Sequence, residues 1–143
     1  MIKNPVKPLD AYSTEEQVVG TWIDGKPIYR VTIPFVAESI PASTVHTTSI
    51  SIPANLETAI RISGAVGIDA STELHREIND GCFQMWCNTI PNKFQAFSGW
   101  SGSTRTYSGY IICEYTKTTD TAIIAIPSTT EMAASYDEGV NDA

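Results

Sequence analysis

Basic residues, paired cysteines and long apolar runs are all in short supply in this chain, and each shortage removes a class of protein. Lys and Arg number 9 against 16 Asp and Glu, for a formal net charge of −7. A surface that neutralises phosphates carries a basic stripe, so no nucleic-acid partner is expected. The three cysteines, Cys82, Cys87 and Cys113, are odd in number and lack Cys-x-x-Cys spacing. That points away from a secreted disulfide framework and from a zinc centre, and toward assembly in a reducing cytoplasm. No stretch approaches the roughly 20 apolar residues of a membrane helix, and Met1–Pro8 has no continuous apolar segment of signal-peptide kind. The expectation is a soluble product with no membrane partner, no cofactor and no metal.

What is present leans toward strands. Of 143 residues, 42% are hydrophobic and only 17% charged, with Thr, Ser and Ile recurring throughout. Such a balance suits short half-buried strands better than amphipathic helices, and the length is that of one domain able to bury a core without staples. Residues 1–12 hold two prolines and little periodicity and read as an extended arm. Ser13 and Glu16 have capping-box spacing, which predicts one short helical turn. Asp24-Gly25 then separates the β-rich runs 18–23 and 26–33, a hairpin signal because Asp and Gly tolerate the positive φ a tight turn needs. Pro27, lacking an N–H, should open its strand or face an unpaired side. Trp22 and Tyr29 flank the turn and are placed to pack across it.

Further strands are read at His46–Ile52, Ala59–Val66, Cys82–Cys87, Lys93–Gly99 and Thr104–Lys117, with residues 67–81 as a surface loop. In the last strand Tyr107, Gly109, Ile111, Cys113 and Tyr115 alternate with Ser108, Tyr110, Ile112, Glu114 and Thr116, the period of a sheet strand with two unlike faces. Ala122–Ile126 is a five-residue apolar run ending at Pro127, short enough for a buried or partner-added strand, and an acidic tail follows.

No constellation announces catalysis. Gly99-Trp100-Ser101-Gly102-Ser103 lacks the final glycine of a nucleophile elbow. His75, Arg76 and Glu77 with Asp69, Glu73 or Asp80 offer nitrogen and oxygen ligands in principle, but solvated loop charges are the plainer reading. Cys82 and Cys87 point to opposite faces of a regular strand and serve as small buried hydrophobes. Trp86, inside an apolar strand, is assigned to the core, whereas Trp100, in a Gly/Ser loop, is the best candidate for a ligand or partner contact, with Tyr107 and Tyr110 beside it. Ile123, Ile124 and Ile126 are the candidate assembly contacts.

Two segments carry a resemblance. Tyr12-Ser13-Thr14-Glu15-Glu16-Gln17-Val18-Val19-Gly20-Thr21-Trp22-Ile23-Asp24-Gly25-Lys26-Pro27-Ile28-Tyr29 looks like the opening of a domain found in phage and prophage structural proteins, and Gly109–Asp120 resembles that domain's close. Such domains occur in tail fibre, baseplate or head fibre components of phages of Gram-positive and gut bacteria. The resemblance implies a place in the virion after synthesis in the host bacterial cytoplasm, and supplies no catalytic residue set. By the same analogy it implies a homo-oligomer, a trimer first, among other phage structural proteins. The chain departs from the pattern by its shortness and by its 121–143 segment.

The expected fold is therefore all-β, an antiparallel β-sandwich of jelly-roll-like kind spanning 13–120, with an extended N-terminal arm over 1–12 and a C-terminal tail over 121–143. The expected function is non-enzymatic virion structure. The alternative is a receptor- or carbohydrate-binding module that attaches to a host cell-surface glycan.

Overall fold

The computed structural model describes residues 11–68 and 76–123, and every regular element among them is a strand. In chain order these are β1 (Gln17–Thr21), β2 (Pro27–Ile40), β3 (His46–Ser51), β4 (Leu56–Ile68), β5 (Arg76–Glu77), β6 (Phe83–Asn88), β7 (Lys93–Ser98) and β8 (Arg105–Lys117). They form one sheet of order β1-β2-β8-β4-β5 and a second of order β3-β7-β6. All pairings between these strands are antiparallel. The arm and the tail fall largely outside the described residues, as do Asp69, Glu73 and His75.

The long strand β8 organises the larger sheet because it is flanked along its length by β2 and β4. Its period-2 alternation holds as far as Tyr115: Tyr107, Gly109, Ile111, Cys113 and Tyr115 are buried, while Ser108, Ile112 and Glu114 are half-buried and Tyr110 is exposed; Thr116, expected on the outer face, is buried as well. From the smaller sheet Phe83, Met85, Phe94 and Ala96 turn toward that same buried cluster. The Phe83 and Tyr107 rings meet with centroids 4.9 Å apart, and Ser98 Oγ and Tyr107 Oη are hydrogen-bonded at 2.7 Å. Each fully buried side chain of this size is worth about 1.5–3 kcal/mol of transfer free energy.

Three local readings are corrected by tertiary partners. Ser13 Oγ does accept a backbone N–H, from Glu15, but no helical turn forms, because Glu16 is engaged elsewhere by the Tyr115 hydroxyl and by Lys117 Nζ at 2.6 Å. Strand β2 does not stop at Ile33 but runs through Pro34 to Ile40. Pro34 is tolerated because β1 pairs with β2 only as far as Arg30; beyond it the Thr32 N–H turns to the Ser13 carbonyl, and the missing donor two residues on faces the same open side. Tyr29 packs away from Trp22, stacking on Tyr115 at 5.8 Å with its hydroxyl donated to Asp120. Pro27, as expected, opens its strand, and the Asp24-Gly25 turn closes the hairpin with Gly25 at φ 86°.

Two polar ties hold the ends of the sheet. Lys26, itself buried, donates to both Glu57 oxygens at 2.8 Å, joining the hairpin to β4. On the opposite side Asp80 accepts from the Cys82 and Phe83 amides at 2.9 and 3.0 Å and from Arg76 at 2.8 Å. The Phe83 amide chiefly, then that of Cys82 and the Arg76 guanidinium, hold the Asp80 carboxyl below its ordinary value against partial desolvation. A depressed carboxylate contributes stability above its unfolded pKa and loses it as pH falls through the folded one. The melting temperature should therefore fall on acidification below about pH 4. Asp80→Asn keeps an acceptor but no charge, so its melting temperature should depend less on pH between 2 and 5; parallel curves for the two proteins would refute this role.

Candidate functional site

The residues singled out from the sequence separate in space. Tyr107 is fully buried between the sheets, with its hydroxyl spent on Ser98, so it is removed from the candidate contact surface. Trp100 is half-buried. Its ring packs on Tyr107 at 6.0 Å and carries the Arg76 guanidinium at 4.7 Å, which takes a ring face that a sugar would need. Tyr110 lies on the other face of β8 and is 49% exposed. Trp86 is corrected from core to outer face: it alternates with the buried Phe83 and Met85, stands opposite Gln95 and donates its indole N–H to Gln95 Oε1 at 2.9 Å. The composition of its strand concealed this, because Trp86 and Cys87 are adjacent apolar residues and only register decides which one turns inward.

Cys113 is buried in the larger sheet and Cys87 half-buried in the smaller one, and the two thiols are neighbours. The Cys87 thiol first, and burial second, push the Cys113 thiol well above its ordinary value, as suits an inert core residue. Asp80, offered above as a metal ligand, spends its oxygens on Arg76 and two amides, and no cluster of three or more His, Cys, Asp or Glu side chains suited to a metal occurs among the described residues.

Two surfaces among the described residues involve residues singled out above. The first is the hairpin edge. Val18 on β1 and Ile23 in the turn are exposed, and Ile123 is 83% exposed although its backbone N–H is fixed to the Asp24 carbonyl at 2.9 Å. Glycine at 25 permits that contact, since a Cβ there would lie 2.7 Å from Ile123 Cβ. The chain thus leaves the described domain at the turn of its edge hairpin, and Ile124 and Ile126 lie just outside the described residues. Beyond Thr21 and Gln17 the outer side of β1 has no strand neighbour among the described residues, and a free edge of this kind presents unpaired N–H and C=O groups.

The second surface is a cleft of about 480 Å³ on the outer face of the five-stranded sheet. Register builds it: Thr32, Ile112 and Ser63 lie in one row across β2, β8 and β4, while Tyr110, Ala65 and Glu77 lie in the next across β8, β4 and β5. Tyr12 closes one side, held by the Arg30 guanidinium 4.3 Å over its ring. Tyr110 was named from the sequence as a contact residue and Glu77 only within the metal-ligand alternative; Tyr12 and Arg61 were not singled out for a site, since separate segments carry these residues and no spacing links them.

No family model, no curated protein and no solved structure among those compared matches this chain.

Proposed function

We propose that this chain is a non-enzymatic structural domain of a phage virion, a tail, baseplate, fibre or head-fibre component that assembles with copies of itself and with other virion proteins. In finer detail we take its two antiparallel sheets to form a β-sandwich of jelly-roll-like kind. The reading of the virion rests on the resemblance of residues 12–29 and 109–120. The single structural observation that supports assembly is the exposed apolar hairpin edge, with Val18, Ile23 and the anchored Ile123 set where the apolar run 122–126 departs. A run of that length fits strand addition to the open edge of a neighbouring copy, where main-chain hydrogen bonds supply affinity and alternate side chains supply specificity.

Light scattering of the full chain should give the mass of a closed oligomer, a trimer by analogy, with no added partner. The triple variant Ile123→Asp, Ile124→Asp, Ile126→Asp should sediment and scatter as a monomer with an unchanged circular dichroism spectrum. A full chain that stays monomeric at high micromolar concentration would rule the self-assembly out.

A further inference from the structure

We propose that the cleft between Tyr12 and Tyr110 is a binding site for a neutral saccharide. The inference does not depend on the assembly reading, because the cleft lies on a sheet face while the assembly edge lies at the hairpin. Four observations on the cleft select the ligand class.

Its walls carry two exposed phenol rings, Tyr12 and Tyr110, and its floor is the side chain of Ile112 on the central strand. Aromatic rings beside an aliphatic floor match the C–H face of a pyranose, which is apolar on one side and hydroxylated around its rim. Arg61 and Glu77 also line the cleft, and neither side chain forms an ion pair or a hydrogen bond with another described residue. Thr32 lies under the cleft, its hydroxyl sealed from solvent and without a hydrogen-bonding partner among the described residues. A sugar hydroxyl both donates and accepts, so one ring can serve a guanidinium and a carboxylate together.

Charge decides against the other small ligands. With one cation and one anion the cleft has no net preference, so a phosphate or uronate meets Glu77 and an amine meets Arg61. A peptide strand is disfavoured for a different reason. The cleft sits over the interior strands β2, β8 and β4, whose backbone groups are already committed to the ladders, and strand addition needs a free edge. The volume lies toward the lower end of the roughly 300–1,000 Å³ typical of small-molecule sites, which suits a short oligosaccharide terminus.

The full chain would be tested on an array of neutral hexose and N-acetylhexosamine oligosaccharides, and the strongest hit titrated by amide chemical-shift mapping up to about 10 mM, as expected for weak single-site binding. The expected result is a saturable shift confined to the amides around Tyr110, Ile112 and Ala65. Affinity should fall about tenfold or more in Tyr110→Ala, in Arg61→Gln and in Glu77→Gln, as when a hydrogen bond to a charged group or a stacking face is lost. Trp100→Ala, outside the cleft, should bind as the parent does, and light scattering should give the parent oligomer for every cleft variant. Absence of any saturable neutral-saccharide shift overturns the proposal. So does binding that survives Tyr110→Ala and Arg61→Gln, or tighter binding of a uronate oligosaccharide.

Discussion

Gly109→Ala is expected to yield no folded protein. A Cβ built on Gly109 would lie 2.1 Å from the Ala65 carbonyl oxygen and 3.0 Å from Val66 Cα, and every one of those atoms is backbone. A flexible side chain could swing away from such a contact, but a ladder atom cannot without breaking the β4–β8 pairing. Gly64 presents the same constraint from the other strand: its Cβ would stand 1.9 Å from the Tyr110 carbonyl oxygen, and its φ of 135° is one that only glycine adopts freely. These two strands carry the centre of the larger sheet, so either substitution should cost more than about 4 kcal/mol, against a total stability on the order of 5–15 kcal/mol. Circular dichroism and amide-proton dispersion on both variants are the measurements. Gly102→Ala is the matched control, since nothing stands within 4 Å of its Cβ position. A Gly109→Ala protein that melts within about 1 kcal/mol of the parent would show that the close approach of β4 and β8 is dispensable.

The second large effect is expected at Phe83. Its side chain has no exposed surface, and its ring meets that of Tyr107 across the two sheets. Phe83→Ala removes the transfer free energy of the ring and leaves a cavity that the rigid strands on either side cannot collapse to fill, a loss of about 3–5 kcal/mol. For a domain of this size the melting temperature should drop by roughly 10 °C or more. Val36→Ala, at a residue 80% exposed, should change stability by less than about 0.5 kcal/mol. Equal melting of the Phe83→Ala variant and the parent would mean that the two sheets are not held by this contact.

Several elements were legible residue by residue. The Asp24-Gly25 turn was readable because positive φ restricts the choice of residue, and the two faces of β8 were readable because a period of two survives as far as Tyr115 without help from neighbours. The errors share one cause. The β-rich run read as 26–33 continues through Pro34 to Ile40, because β2 has an open side there that needs no donor. Glu16 satisfied a local capping pattern but bonded Tyr115 and Lys117, roughly a hundred positions away in sequence. Trp86 and Tyr107 were assigned opposite to their places, one to the core and one to the surface. Each strand alternates, but alternation does not say which face turns inward until another sheet covers one of them.

The candidate sites divide in the same way. Ile123 was named from an apolar run beside a proline, a signal that lies wholly within one segment. The cleft could not be so named, since Tyr12, Arg61, Glu77 and Tyr110 come together only through the order β2-β8-β4-β5. Composition and alternation are properties of the chain itself, and they were enough to dictate an all-β protein with antiparallel strands and an edge hairpin. Strand order, register and the choice of buried face belong to long-range pairing, in which residues with no sequence relation compete for the same neighbours. The fully buried Tyr107, the outward Trp86 and the tyrosine-lined cleft were therefore decided only when the two sheets closed on a common core.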